Sequence, residues 1–581
     1  MLGEKDFMLP PNGVSNTPRQ RVHSKVFLLV GVLFFCWTLP LIKWNVFPRI
    51  GVYPSSSPSP QEQCSQVEPI SPSYTNPKLE KMEEILQSQA FRNASIARLS
   101  GAVRIRTESF DDLGAIGKDK RWDVMFDFAD YLSKTFPLVH GKLKAETVNT
   151  HGLLFTWQGS DPTLKPLLLM AHQDVVPVPA STINAWTHPP FSGYYDGTDI
   201  WGRGASDDKT QVIAIFEAVE LLLEAEFSPK RTVLLAFGFD EEVSGHEGAG
   251  HLAPYIQERY GRDSIAAIVD EGTGFQTLWG SKFALPAVGE KGYIDIEIVT
   301  RMPGGHSSIP PDRTSIGVLS ELITLIEDSK YPPCLDSKNP FLSQLQCGAA
   351  HSPDFSSELK KLLLTHGKGS CTEKKDLLAL EAAKAGPDIR YLMQTSVAAD
   401  VISGGVKNNA LPERVSVIFN LRISVQDTVA DIKSKTADLA GRIAHKYNLT
   451  LHAFDGHEEE PKSITLREFG DSLEPAPVSP TEVDRQTPYA VLAGTTRRLY
   501  GREVLVSPSI PSGNTDTKFY WNLTQHIFRF GPGWDGKSEG LGNIHTVDER
   551  VSVASHVTAV QWFSLFVRNM DEAQLYDVDL K

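Results

Sequence analysis

The chain has 581 residues, 41% of them hydrophobic and 22% charged, and 71 acidic against 57 basic side chains give a net charge of −14. This composition excludes disorder over the whole length, and the length leaves room for about two to four domains at ~150 residues each. The acidic balance, with no run of five lysines or arginines, argues for no nucleic acid partner, because phosphates need clustered positive charge.

Residues 1–25 are polar, and the uncharged stretch Val26–Ile42 follows them. As a helix it measures ~26 Å, at the short limit for a bilayer. Arg19, Arg21 and Lys25 precede it, which predicts a transmembrane signal anchor with a cytosolic tail and a translocated body. A cleaved signal peptide is the alternative, but no small-x-small site follows Pro40. Residues 43–78, rich in Ser and Pro, read as a stalk. Lys5 in the tail is a candidate sorting modification site, and the sequons at Asn93, Asn448 and Asn522 are candidate glycosylation sites on the lumenal side. Cys64, Cys334, Cys347 and Cys371 would then lie where disulfides form; of the three possible pairing schemes, the one with Cys334–Cys347 is expected, with four unpaired thiols as the alternative.

From Leu79 short apolar runs alternate with helical patterns, predicting an α/β domain, first part 79–295, with a mainly parallel sheet. Residues 167–171, 232–239 and 265–269 are apolar throughout, as strands buried on both faces are. Between the first two, a helix is expected from Asp208. Residues 293–300 and the stretch from Val415 alternate apolar with polar residues, each beside a helical pattern (313–327 and 428–447). An inserted α+β domain is therefore expected over 296–455. Residues 456–581 supply a returning linker, 457–485, and the second part of the α/β domain.

Polar residues gather where the apolar strands end. His172 and Asp174 follow the first, Glu241 and Glu242 the second, and Asp270 the third, while Asp207 precedes the helix. The carboxyl edge of a parallel sheet is where open α/β folds bind ligands, so these groups should converge. Acids so close together repel unless a cation neutralises them, and imidazole with carboxylate suits zinc or a similar divalent ion. Taken singly, His172 reads as a buried histidine, Asp207 as a helix cap, Glu241–Glu242 as a solvated pair and Asp270 as a turn residue; their joint placement carries the inference. HEGAGH, 246–251, is not a zinc helix, because its histidines are five apart rather than four. Nor is WGRG a phosphate loop.

The segments HQDVVPV, WGRGASDDK, FDEEVSG, GGHSSIP and GNIHTVDE resemble, in order and spacing, the co-catalytic zinc metallopeptidase family that includes glutamate carboxypeptidase, aminoacylase and carnosinase. Within it the chain is most similar to the vacuolar Gly-X carboxypeptidases. The resemblance implies that the α/β domain is catalytic, that the inserted 296–455 domain is a lid or dimerisation domain, and that two zinc ions are bridged by Asp207, with His172 and Asp270 completing one site and Glu242 and His545 the other. Asp174 would orient His172, and Glu241 would be the general base. His306 would stabilise the oxyanion, and Asn409 and Arg422 would contact a substrate carboxylate, with Gly513 and Asn514 nearby. Short peptides would be the substrates, in a vacuolar lumen, and a homodimer is possible. N-acyl amino acid hydrolysis or synthesis is the enzymatic alternative, and an inactive receptor-like ectodomain the non-enzymatic one. Two departures from the family pattern, His188 in WTHPPFSG and the insertion around 334–380, touch no expected ligand.

Overall fold

In the computed structural model, which describes residues 64–366, 375–511, 513–537, 540 and 542–575, the apolar runs become the centre of one sheet. The elements that build it are β1 (Lys144–Val148), β2 (Gly152–Trp157), β3 (Leu167–His172), α1 (Lys209–Glu224), β4 (Val233–Gly238), α2 (Ala249–Tyr260) and β5 (Ala267–Thr273). The lid follows as β6 (Gly292–Arg301), β7 (Gly305–His306), α3 (Ser315–Asp328), α4 (Pro340–His351), β8 (Ser396–Gly404), β9 (Ala410–Leu411), β10 (Arg414–Ile423), α5 (Val429–Tyr447), β11 (Thr450–Ala453) and β12 (Ser463–Leu473). The chain then returns through α6 (Pro488–Tyr500), β13 (Ile527–Phe530) and α7 (Val553–Glu572).

The catalytic sheet runs β1-β2-β4-β3-β5-β13. Its four strands β4, β3, β5 and β13 are parallel, whereas β2 runs antiparallel to β4 and to β1, so the sheet is mixed. All residues of β2, β3 and β4 are buried, because helices and loops cover both faces. On one face α1 lies under α7 and has no solvent side: Val212 through Phe216 are all buried. The central strands therefore have little freedom, and the loops at their carboxyl ends start from fixed points.

The lid sheet runs β8-β10-β6-β12-β11, with α3 and α5 on one face. Ile294, Ile296 and Ile298 alternate inward from β6 and meet Leu322 of α3 and Leu439 and Ile443 of α5. Each such side chain contributes about 1.5–3 kcal/mol by leaving water, enough for the lid to have a core of its own. The expected linker 457–485 needs correcting, because β12 lies inside it and the lid extends to Leu473. The strand pattern was masked by Arg467 and Glu468, and Arg467 is held in the sheet by an ion pair to Glu297 on the neighbouring strand.

The insertion also departs from expectation. Leu335, Phe341, Leu345, Leu378 and Met393 form a separate helical core, which sits beside the cavity described below. Its α4 carries Cys347, which is bonded to Cys64 and not to Cys334; the Cα atoms are 5.0 Å apart. The helix turns Cys347 toward Phe283, Leu285 and Leu505, where the N-terminal segment lies. Cys334 is also disulfide-bonded, and Cys371 lies outside the described residues. The Cys64–Cys347 bridge closes a separation of 283 residues. Cys64→Ser is therefore expected to lower stability by roughly 2–5 kcal/mol, read as a fall in Tm at unchanged secondary structure by circular dichroism.

Among the described residues no helix is long and apolar enough to cross a membrane. The expected anchor at 26–42, Lys5 in the tail and most of the stalk lie outside the described residues. Asn93, Asn448 and Asn522 are all exposed.

Candidate active site

Strands β3, β4 and β5 end at one edge, and the loop before α1 folds over it. His172 is the last residue of β3, Glu241 and Glu242 open the turn after β4, and Asp207 lies two residues before α1. Four segments distant in sequence thus meet at the carboxyl edge.

Asp207 is the centre. Its Oδ1 is 3.0 Å from His172 Nε2 and its Oδ2 is 3.0 Å from His545 Nε2. Each histidine has a second carboxylate: Glu271 Oε1 lies 3.5 Å from His172 Nε2, and Glu242 Oε2 lies 3.1 Å from His545 Nε2. One carboxylate thus faces two imidazole–carboxylate pairs, one through each oxygen. His545 reaches the site from a turn in which its φ is +57°, with its side chain about half exposed.

Asp174, fully buried, organises the inner side. Its Oδ1 accepts from His172 Nδ1 at 3.2 Å and from the Glu241 N–H at 3.1 Å. Its Oδ2 accepts from Ser109 Oγ at 2.7 Å and from the Glu242 N–H at 3.1 Å. The first bond places a proton on Nδ1 and leaves the Nε2 lone pair facing the cluster. The two N–H bonds fix the backbone that carries Glu241 and Glu242. Glu549 does the same for Asp207: its Oε1 accepts from the N–H groups of Gly204, Ser206 and Asp207 at 2.9, 3.0 and 3.1 Å, while Arg203 holds its Oε2 at 2.5 Å. Glu549, four residues beyond His545, draws both loops together.

The structure brings Glu271 rather than Asp270 to His172. In β5, Asp270 pairs with Arg529 and Thr273 with Phe530, so Glu271 and Gly272 form a bulge between them. A bulge re-aims side chains, and here it turns Glu271 toward β3. Asp270 is buried beside Arg529, and its Oδ2 has no hydrogen-bond partner. The expected set of His172, Asp207 and Asp270 thus gains Glu271 as a second candidate ligand, 3.5 Å from His172 Nε2. A direct comparison checks this: Glu271→Gln is expected to lose one metal ion per chain by mass spectrometry, and Asp270→Asn to retain it.

The electrostatics fit a cation. Burial pushes the Glu271 carboxyl up to about 8 and the Asp270 carboxyl to about 7, and raises Glu241 well above the carboxylate range with help from Glu271. Burial pushes Asp207 the same way, but hydrogen bonds from His172 and His545 hold it below the usual range. Hydrogen bonds to Asp207 and Glu242 lift His545 to about 10. Among the described residues no lysine or arginine is ion-paired with Asp207, Glu242 or Glu271. Protons therefore compensate the charge wherever a divalent ion does not. The donor set, imidazole nitrogen with carboxylate oxygen on both sides of a shared carboxylate, matches zinc or a like ion. His172 with Asp207 and Glu242, and His172 with Asp208 and Glu271, place ligand atoms within 4.8 Å of one another.

Next to this cluster opens a cavity of about 1460 Å³ lined by Glu241, Glu271, His545 and residues from the lid and the insertion. Arg422, on β10, reaches it and lies 3.3 Å from Asn514 Oδ1; Gly513 and Asn514 line the same wall. His306 and Asn409 do not line it. Both are exposed at the far lid edge, where β7 pairs with β9 and the Ser307 N–H donates to the Asn409 carbonyl at 3.2 Å. His246 and His251 are exposed and face Asp471 and Glu247, away from this site. His188 stacks on Tyr194 with ring centroids 4.0 Å apart.

The sequence model of Peptidase family M20/M25/M40 matches residues 168–569. Carboxypeptidase S of Saccharomyces cerevisiae is 42% identical over 90% of this chain and 91% of its own. The N-fatty-acyl-amino acid synthase/hydrolase of Mus musculus is 33% identical over 83% and 89%. Among solved structures, the M20 family metallo-carboxypeptidase of Sulfolobus solfataricus superposes with a TM-score of 0.55 at 19% identity, covering 82% of this chain and 99% of its own, and so shares its fold. With the site's residues falling inside the matched segment, the chain belongs to peptidase family M20/M25/M40.

Proposed function

We propose that the protein is a di-zinc carboxypeptidase that removes the C-terminal residue of short peptides of the Gly-X kind. The observation that carries this reading is Asp207, whose two oxygens face His172 and His545 separately, with Glu241 beside them. His172, Asp207 and Glu271 would hold one ion, and His545, Asp207 and Glu242 the other. Divalent ions bound there would supply a more acidic water and polarisation of the scissile carbonyl. Glu241 accepts the proton of the attacking water and returns it to the departing amine nitrogen. Asp174 keeps His172 in the tautomer that ligation requires. Arg422 offers a guanidinium to the substrate's terminal carboxylate, a pairing with matched planar geometry. His306, remote from the cavity of its own chain, would serve the oxyanion only in a dimer. The uncharged run 26–42 and the exposed sequons support a further reading, a vacuolar body held by an anchor at 26–42 and glycosylated at Asn93, Asn448 and Asn522.

A second reading rests on the cavity wall, where Phe275, Phe341, Leu392 and Trp534 present apolar surface in a volume well beyond a dipeptide's needs. That surface suits an N-acyl amino acid with a long chain, the substrate type in the name of the mouse relative. Both amides stand next to a carboxylate, so one site serves either. Assaying N-blocked Gly-Leu against N-acetyl and long-chain N-acyl amino acids, each with chelator and with zinc restored, separates them. Zinc-restorable dipeptide cleavage with the higher kcat/KM is the expected result; faster turnover of the acyl amino acids would move the assignment to the second reading.

A further inference from the structure

A second cluster of metal-ligating side chains lies in the lid, and none of its members lines the catalytic cavity. Strands β11 and β12 are neighbours and parallel, yet residues 454–462 alone join them. A parallel connection ordinarily takes a dozen or more residues and a helix. Here the chain instead folds straight back along β11, and the reversal brings His452, Asp455, His457 and Glu460 together. Asp455 Oδ2 lies 3.4 Å from His452 Nδ1 and 3.2 Å from His457 Nδ1. In a tetrahedral zinc site with ligand bonds of about 2.0–2.2 Å, adjacent ligand atoms stand about 3.3–3.5 Å apart. Both distances are thus close to the edges of such a tetrahedron, and one ligand atom from each of the three residues lies within 4.8 Å of the others.

The fourth residue supplies what a ligating histidine needs behind it. His452 Nε2 lies 3.0 Å from Glu460 Oε1. A proton on Nε2, donated to that carboxylate, leaves the Nδ1 lone pair facing Asp455 and His457, the carboxylate–histidine arrangement that orients metal ligands. The two imidazole rings are stacked with centroids 4.9 Å apart, so His457 is already turned toward the cluster. His452 is largely buried and His457 largely exposed, which gives an anchored ligand and an open approach. Glu459, between these residues, is taken up by Arg414, Arg467 and Arg301 and fastens the loop to the strands beneath.

We propose that His452, Asp455 and His457 form a third metal site, for zinc or a similar borderline divalent ion, which clasps the return loop of the lid with water as the remaining ligand. The site is separate from the catalytic centre in residues and in position, so it stands or falls independently of the carboxypeptidase reading. The test uses the full chain dialysed against buffered zinc, with metal counted by mass spectrometry. The double variant His452→Asn/His457→Asn is expected to hold one zinc per chain fewer than the natural protein, whatever the catalytic centre holds, and to keep its peptidase activity. Zinc should also raise the Tm of the natural protein further than that of the variant. If the double variant fails to fold, Asp455→Asn, which removes only an exposed carboxylate, should lose the same single equivalent. Equal zinc content in the natural protein and in the folded variant would overturn the proposal.

Discussion

Glu241→Gln is expected to lower kcat by about 10²–10⁴-fold while leaving metal content unchanged. The amide keeps the size and seating of the carboxylate, and the Glu241 N–H still donates to Asp174, so the loop carrying Glu242 stays in place. What is lost is the carboxylate that, on the proposed mechanism, takes a proton from water and returns it to the leaving nitrogen. Burial already raises the affinity of Glu241 for a proton, as a base must retain that proton until the amine departs. The check pairs steady-state kinetics with metal analysis. A variant that lost its metal together with its activity would show Glu241 to be a ligand, and one that kept full activity would remove it from the mechanism.

Asp207→Ala should do more. Without the shared carboxylate, His172 keeps Glu271, with Asp208 near it, and His545 keeps Glu242, but the group that joins the two pairs is gone. Metal content is expected to fall by two per chain relative to the natural protein. Activity should drop beyond the ~10–100-fold typical of losing a group that merely supports a ligand. Loss of a single ion would mean that Asp207 serves one site and that the two centres are not joined through it. Glu549→Gln offers a milder version, because it weakens acceptance from three N–H groups of the Asp207 loop while leaving every ligand in place.

Much of this arrangement was legible in the sequence because the residues stand at the ends of strands that are apolar on both faces. His172, Glu241 and Glu242 were found that way, and Asp207 by its place before a helix. His545 carries no such local mark, since its turn has no periodic pattern, and only resemblance to the family singled it out. Glu271 carries no mark in the sequence beyond its place next to Asp270, and only the bulge opposite Arg529–Phe530 brings it to His172. Glu549 reads as one more acid in a polar turn until its contacts with the Gly204–Asp207 backbone are seen. In the lid, β12 was hidden by charges that pair across strands, and the bond from Cys64 to Cys347 joins segments 283 residues apart that no local spacing relates. The family is legible all the same, because five separate motifs carry it.

The most direct measurement is an anomalous-scattering map from crystals of the zinc-loaded protein. The account predicts two peaks at the carboxyl edge of the catalytic sheet, one on each side of the Asp207 carboxylate, the first beside His172 and Glu271 and the second beside His545 and Glu242. A single peak there, or a peak coordinated by Asp270 in place of Glu271, would contradict it.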